Sequence, residues 1–154
     1  MRREIDMVLQ GRRFENVGSL HPTRRADGTV ATDRPQLRYA KAGATPLHQY
    51  GDGAFCIFCL PEAPKEPGVY AIWIGDEIMY VGEAESLKQR FYSYGHISPR
   101  NCYEGGRQTN CRINKLIFDS LQSGQSVEVW FHACGDRRQF EADLLNTFRP
   151  RWNR

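Results

Sequence analysis

The sequence contains no long apolar run, no sign of a cleaved leader and little net charge. No stretch approaches the ~20 consecutive apolar residues with which a helix crosses a bilayer, and residues 1–6 lead into no apolar signal-peptide core. Its 21 lysines and arginines against 18 aspartates and glutamates leave a net charge of only +3. Composition therefore permits a nucleic-acid partner without requiring one, and we expect a cytoplasmic protein that does not bind a membrane.

Disulfides are not expected either, because the five cysteines are odd in number and no secretion signal accompanies them. Cys56 and Cys59 form a CxxC that, with Cys102, Cys111 and Cys134, would supply enough thiols for a zinc site. The two residues inside the CxxC are apolar and include no turn former, whereas a zinc knuckle needs a tight bend. We therefore favour core packing for these cysteines over metal binding.

What the sequence does contain is the composition of a folded protein, since 40% of its 154 residues are hydrophobic and 25% are charged. That length suits one domain with a core and is barely enough for two. Glycine and proline interrupt residues 11–53 without a sustained period, so we expect mostly loops there. Prolines at 61, 64 and 67 then separate a partly irregular N-terminal extension, residues 1–65, from a main domain, residues 66–154.

The main domain opens with a predicted β-hairpin. Residues 69–81 are rich in β-branched and aromatic side chains on both sides of a short turn at 75–77. A turn of three residues pairs Ile72 with Tyr80 and places Tyr70 and Tyr80 on one face of the sheet. A two-residue loop would shift the pairing by one residue and send the two tyrosines to opposite faces.

Two helices are predicted to follow the hairpin. Ser86 is a good N-cap for the first, which covers about 87–93. Thr109 can cap the second, whose apolar residues follow the helical period until Gly124 stops it. The segment between them is rich in glycine, asparagine and charge, and is predicted to be a surface loop.

One more strand and one more helix complete the predicted order. Residues 127–133 alternate between apolar and polar side chains, as a strand with one buried face does. Asp136 and Gln139 form a capping-box pair for a final helix. Its inward-facing residues are predicted to be Phe140, Leu144, Leu145 and Phe148. The expected fold class is α+β (α/β-like), a small three-stranded mixed sheet flanked by helices.

Basic residues recur in two regions. Paired arginines occur at 2–3, 12–13 and 24–25 of the N-terminal extension. The second basic set consists of Arg100, Arg107, Arg112 and Lys115. Asn101, Gln108 and Asn110 lie among them and have the amide side chains that read base edges. Such charges are most often plain solvated surface. We hypothesise that the 94–112 loop and the basic N-terminal arm contact nucleic acid.

Six positions of the main domain occur in the order of a known signature. They are Gly68-Val69-Tyr70, Tyr80-Val81-Gly82, Arg90, Tyr94, Glu141 and Asn153. In this setting they resemble the GIY-YIG nuclease superfamily, over residues 67–154. The domain looks similar to the N-terminal incision module of the bacterial excision-repair nuclease and to GIY-YIG restriction endonucleases. The resemblance implies a GIY-YIG fold and metal-dependent cutting of nucleic acid, most simply DNA.

The residue chemistry suits that reaction. Hydrolysis of a phosphodiester needs an activated water, positive charge on the phosphate and support for the leaving oxygen. Glu141, on the last helix, can hold one Mg²⁺ or Mn²⁺, and the always-charged fork of Arg90 suits a phosphate oxygen. The resemblance implies that Tyr80 positions or deprotonates the attacking water.

The remaining signature residues have supporting roles in this prediction. Tyr70 hydrogen-bonds the water or Tyr80, and Tyr94, one helical turn beyond the arginine, contacts the scissile phosphate. His96 just after it is a candidate extra proton-transfer group. Asn153 is expected to orient its neighbours rather than to react.

One position departs from the family pattern. Several members place a lysine three residues after the second tyrosine, where its charge lowers the tyrosine pKa, whereas this chain has Glu83. An unpaired carboxylate there would raise the pKa of Tyr80, and it could instead accept the tyrosine proton.

Three functional classes follow from the sequence. The first is a stand-alone endonuclease of the restriction, defence or repair type. The second is a catalytically impaired nucleic-acid-binding module that keeps the fold, and the third is a protein-interaction domain with an accidental match. A single metal site cuts one strand at a time, so double-strand cutting would require a homodimer or sequential nicks.

Overall fold

The computed structural model describes residues 7–154 and has a mixed α+β architecture. Contacts divide the chain into two compact units: a sheet unit of residues 7–20, 60–90 and 126–154, and a second unit of residues 21–59 and 91–125. The elements in chain order are β1 (Met7–Leu9), β2 (Arg12–Ser19), β3 (His21–Pro22), β4 (Thr32–Asp33), β5 (Phe55–Cys56), β6 (Phe58–Cys59), β7 (Gly68–Ile74), β8 (Glu77–Ala84), α1 (Leu87–Gly95), α2 (Gln108–Gln122), β9 (Val127–Ala133) and α3 (Arg137–Phe148).

Two short 3₁₀ helices, Pro35–Arg38 and Pro99–Cys102, belong to the second unit. The unit boundaries differ from the predicted boundary between residues 65 and 66, since residues 7–20 group with the sheet. The extension and the main domain as predicted therefore remain a proposal. No helix in the described part of the chain is both long and apolar enough to cross a membrane.

The sheet has five strands in the order β1-β2-β9-β7-β8, and every neighbouring pair is antiparallel. The prediction of three strands in a mixed sheet was wrong on both counts. Residues 7–19 supply the two extra strands, since β2 pairs with the free edge of β9 and β1 pairs with β2. Strand alternation did not reveal them, because β1 has only three residues and a register shift next to Gly18, at φ +131°, breaks the alternation of β2.

The hairpin of β7 and β8 has a two-residue turn, not the predicted three-residue turn. Ile74 pairs with Glu77, which leaves only two residues in the loop. A register shift follows directly, because Ile72 pairs with Tyr80 while Trp73 pairs with Ile78. This bulge restores the predicted register by one extra residue. The tyrosines at 70 and 80 therefore do share a face, with ring centroids 6.1 Å apart.

One face of the sheet packs on α3. Val69 and Ala71 of β7 lie opposite Glu83 and Val81 of β8, and the apolar members of this set are fully buried in a cluster with Leu144 of α3. Because side chains alternate along a strand, the residues between them face away from α3. The α3 face thus carries Glu83, whereas both signature tyrosines lie on the opposite face.

The start and end of α3 differ from the prediction. Asp136 is the N-cap residue, but its side chain makes no capping hydrogen bond. The carboxylate pairs with Arg12 instead, at 2.6 Å, so the predicted capping box with Gln139 is absent. The guanidinium also lies over the ring of Phe140, 4.2 Å from the centroid. At the other end, Phe148 is 41% exposed rather than buried.

The second unit is built around α2 and the short strands. The apolar run at 54–60 contains two short strands, β5 and β6, which are interrupted at Ile57. Asn114 of α2 is fully buried and satisfies the backbone of Cys56 twice, accepting from its N–H at 3.0 Å and donating to its carbonyl at 2.9 Å. All five cysteines are free thiols, and three of them, at 56, 102 and 111, are buried.

The predicted N-cap residue is correct for α1 and wrong for α2. Ser86 Oγ accepts from the backbone N–H of Gln89 at 3.3 Å, as expected of an N-cap, although α1 continues to Gly95. Thr109 does not cap α2, which begins one residue earlier at Gln108.

Candidate active site

The outer edge of β8 is the scaffold of the candidate site. β8 is the last strand of the sheet, so alternate backbone groups along it point away from β7 and need partners. The C-terminal segment supplies them. Trp152 donates its backbone N–H to the carbonyl of Met79 at 2.9 Å, while Asn153 accepts from the N–H of Val81 at 2.9 Å and donates to its carbonyl at 2.8 Å. Asn153 therefore fixes the strand immediately beside Tyr80.

Glu141 of α3 binds the next outward-facing backbone group along this edge, that of Glu83. Burial raises the pKa of its carboxyl above the ordinary value, and the negative charge of Glu83 raises it further. A hydrogen bond from the Glu83 backbone and the positive charge of Arg90 act in the opposite direction. The net rise means that this half-buried carboxylate lacks full compensation by positive charge.

Such a carboxylate fits a hard divalent cation. Within residues 7–154, no three His, Cys, Asp or Glu side chains form a cluster that could hold a metal ion by themselves. Mg²⁺ commonly binds through only one or two carboxylates and keeps water and phosphate oxygens for its other positions. The donor chemistry at Glu141 therefore suits Mg²⁺ or Mn²⁺ better than a metal that needs a complete protein cage.

Glu83 is engaged by a residue that sequence reasoning missed. Its Oε2 accepts from Nε of Arg137, the first residue of α3, at 2.6 Å. Both side chains are mostly buried, with 24% and 21% of their surfaces exposed. The carboxylate thus points to α3 and not to the face that carries Tyr80. The one available signal was the helical spacing of four residues between Arg137 and Glu141.

The two hairpin tyrosines differ in accessibility. Tyr70 is 1% exposed and lies across Gly82, where an added Cβ would be 2.4 Å from its hydroxyl oxygen. The glycine of the second triplet is therefore needed for close approach of the Tyr70 ring. Tyr80 is partly exposed and its ring contacts that of Tyr70. Of the pair, Tyr80 is the one that can meet water or substrate.

Tyr94 and His96 belong to the second unit. Tyr94 is 1% exposed, packs edge-on against Phe91 with centroids 5.4 Å apart, and its carbonyl accepts from Asn114 at 2.7 Å. His96 is exposed and stacks on Tyr92, with centroids 4.2 Å apart. The contact of Tyr94 with the scissile phosphate and the role of His96 in proton transfer stay predictions.

The predicted nucleic-acid contacts divide by exposure. Arg100 and Arg107 are exposed, although Arg100 donates to the carbonyl of Glu104 at 3.0 Å. Arg112 is half-buried. Lys115 donates to the Asp52 carbonyl at 2.6 Å. Their binding roles also stay predictions.

The N-terminal arginines mostly bind the chain itself. Arg12 pairs with Asp136 as described, while Arg24 and Arg25 donate to backbone carbonyls of the 24–32 loop. Residues 2–3 lie outside the described part of the chain. Among the described arginines of the predicted basic arm, Arg12, Arg24 and Arg25 thus already have donors bound within the chain.

Comparison with known sequences gives a consistent result. No family model matches the chain. It is 31% identical over 94 residues to UvrABC system protein C of Thermus thermophilus, a match that covers 61% of this chain and 13% of that protein. It is 25% identical over 138 residues to Endonuclease II of Enterobacteria phage T4, covering 80% of this chain and 93% of that protein. The chain spans only 13–17% of the length of the UvrABC proteins that it matches.

Solved structures with partial likeness come from the same two proteins. The GIY-YIG N-terminal endonuclease domain of UvrC from Thermotoga maritima, bound to magnesium, has 25% identity and a TM-score of 0.41, covering 60% of this chain and 88% of that one. A mutant of bacteriophage T4 EndoII has 22% identity and a TM-score of 0.49, covering 71% and 87%. The chain is thus similar in sequence to UvrABC system protein C and to Endonuclease II.

Proposed function

We propose that the protein is a divalent-metal-dependent endonuclease that hydrolyses phosphodiester bonds of DNA. The observation that carries the proposal is the convergence of Glu141 and the charge of Arg90 at the edge of β8, the strand that also bears Tyr80. A carboxylate short of positive charge, a guanidinium and a partly exposed phenol are the groups that the reaction requires.

Each residue has a defined task in this proposal. Glu141 would hold Mg²⁺ or Mn²⁺, which when bound supplies Lewis-acid stabilisation of the phosphate and leaving oxygens. Arg90 binds a non-bridging phosphate oxygen through its fixed fork. Tyr80 orients the attacking water and accepts or relays its proton, while Tyr70 supports the Tyr80 ring from the buried side. Asn153 holds the backbone of β8 so that Tyr80 keeps its position.

DNA is the proposed substrate because the matched relatives include a protein named as an endonuclease and a domain described as one. We propose a restriction, defence or repair role. Since one metal site cuts one strand, we propose that double-strand cutting, where it occurs, uses a homodimer or successive nicks. Free thiols at all five cysteines fit our proposal of a cytoplasmic protein.

The test compares the wild-type protein with Glu141→Ala and with Asp143→Ala as a matched control. Asp143 is an exposed carboxylate on the same helix, so its loss changes the charge of α3 without touching the site. Each protein is incubated with plasmid, single-stranded and branched DNA and with RNA, in Mg²⁺, Mn²⁺ or chelator. We expect metal-dependent cutting of DNA by the wild type and the control, and none by Glu141→Ala.

Two outcomes would contradict the proposal. Equal cutting by the wild type and Glu141→Ala would remove the assigned metal site. A folded wild type that binds nucleic acid but cuts none of the substrates would favour the impaired binding module instead.

A further inference from the structure

The pair formed by Arg137 and Glu83 lies next to the proposed site. Glu83 contributes its backbone to Glu141 and its carboxylate to Arg137. On α3, Arg137 and Glu141 are four residues apart and therefore project from the same side of the helix, one turn apart. A positive side chain and the proposed metal-binding carboxylate thus share one helix face beside one strand edge.

Glu83 engages only one edge of the Arg137 guanidinium. The bond is made by Nε, and within residues 7–154 neither Nη atom of this arginine has a hydrogen-bond partner. A guanidinium carries five donors in a rigid plane, and two parallel donors on one edge match two phosphate oxygens. Glu83 therefore fixes the plane of Arg137 and leaves the outer fork available to an anion.

The position of Arg137 is not explained by helix stability. It is the first residue of α3, and the first turn contains no acidic residue. The positive end of the helix dipole lies there, so a cation is unfavourable and a carboxylate would be favoured. Arg137 is thus held in place by its pair with Glu83 and not by the helix dipole, while its outer donors face no protein partner among the described residues.

We propose that Arg137, oriented by Glu83, is a second phosphate-binding arginine of the proposed nuclease site. Arg137 binds the nucleic-acid backbone beside the phosphate that Arg90 contacts, and Glu83 is a positioning residue that acts through it. This inference rests on the proposed function for its effect on cutting. Its effect on binding can be measured without any cutting.

The binding test uses a 20-base-pair DNA duplex in chelator at several salt concentrations. Each phosphate that a protein neutralises contributes about −0.9 to the slope of log affinity against log salt. Arg137→Ala is expected to reduce the magnitude of that slope by about 0.9, the contribution of one phosphate contact. Arg137→Lys and Glu83→Gln keep the positive charge at position 137 and should keep most of the slope. The matched control is Arg151→Ala, which removes a 2.9 Å pair with Glu77 at the other end of β8. The control should keep the wild-type slope.

The cutting test separates positioning from charge. Arg137 holds a phosphate next to the reacting one and so positions the substrate. A misplacement of about 1 Å can cost on the order of 10²-fold in rate, and Arg137→Ala should lose up to about that much. Glu83→Gln should lose less, and the double variant should match Arg137→Ala alone, because Glu83 acts only through the arginine. A melting curve for each variant establishes folding. If Arg137→Ala does not fold, Arg137→Lys and Glu83→Gln decide the question, since a lysine cannot supply the fork and should cut more slowly.

Failure of this inference differs from failure of the proposed function. A wild type that cuts in a Glu141-dependent manner, together with an Arg137→Ala variant of wild-type slope and rate, overturns the role of Arg137 alone. A wild type that cuts nothing overturns the proposed function, and a reduced slope in Arg137→Ala would still support the phosphate contact. Slower cutting by Arg137→Ala with an unchanged slope would overturn the contact and leave a structural pair.

Discussion

Substituting Gly82 by alanine tests whether the Tyr70 ring needs the space that a glycine leaves on the neighbouring strand. An ideal Cβ at this position would lie 2.4 Å from the Tyr70 hydroxyl oxygen and 2.5 Å from Cζ. Ordinary contact begins near 3.4 Å, so the ring or the strand must move by about 1 Å. Tyr70 is 1% exposed and cannot swing into solvent. Overpacking of this kind costs about 1–3 kcal/mol of unfolding free energy.

The same displacement should reach the site, because the Tyr70 ring contacts that of Tyr80. A shift of ~1 Å in a positioned group can lower a rate about 10²-fold. Urea unfolding and single-turnover DNA cleavage measure the two effects on one preparation. The control is Gly135→Ala, where an added Cβ has nothing within 4 Å. This control should leave both values unchanged.

A double variant makes the steric reason specific. Tyr70→Phe removes the atom nearest to the new Cβ, so Tyr70→Phe with Gly82→Ala should recover part of the lost stability, although Cζ remains close. An unfolding free energy for Gly82→Ala within about 0.3 kcal/mol of the wild type, with unchanged cutting, would refute the argument, since effects of that size lie within ordinary surface variation.

Two further predictions concern the edge of β8. Asn153→Ala leaves the N–H and carbonyl of Val81 without their partners and should lower the unfolding free energy by about 1–3 kcal/mol. Asn153→Asp should lower it too, because a carboxylate then faces the Val81 carbonyl. Urea titration checks both variants, and equal stability of all three proteins would contradict the role of Asn153 in holding β8. Glu141→Gln tests the raised pKa of the Glu141 carboxyl. Because folding raises this pKa, the contribution of the carboxyl to the unfolding free energy is present below the unfolded-state pKa and is lost as pH rises through the folded-state pKa. In chelator, Glu141→Gln should therefore melt higher than the wild type at pH 7, with the difference shrinking below about pH 4, and Mg²⁺ should raise only the wild-type melting temperature. A Gln variant that melts lower at pH 7 would contradict this assignment.

Local sequence signals were reliable where one element decides the outcome. Ser86 caps α1 because its hydroxyl needs only the backbone three residues ahead. The alternation in β9 correctly predicted that Val127, Val129 and Phe131 are buried, since burial of one strand face follows from the pleat, whereas Ala133 at the end of the strand is exposed. Capping failed at Asp136, because a distant arginine competes for the same carboxylate.

The predicted pairing of Ile72 with Tyr80 is correct, although the predicted length of the turn is wrong. The sequence of the hairpin permits either loop length, and the two-residue turn begins at Gly75, whose φ of +61° suits glycine. The bulge after it compensates, so that Ile72 still faces Tyr80. A one-residue slip of β8 would turn Val81 away from the α3 face, where it is fully buried, and would move Gly82 from beneath the Tyr70 ring. The packed sheet therefore selects the bulged register.

The sequence by itself determined the order of the elements in residues 68–148 and the chemical groups of the candidate site, because helical period, strand alternation and motif spacing are local properties. It did not determine where residues 7–19 pair, because β2, whose alternation is broken next to Gly18, finds its partner only at the free edge of β9. The contacts that set the site join distant positions, with Asn153 72 residues from Val81 and Arg137 54 residues from Glu83. Only tertiary packing brings such groups together. The two triplets predicted where the candidate site lies, and contacts at the edge of β8 decided which side chains hold its scaffold in place.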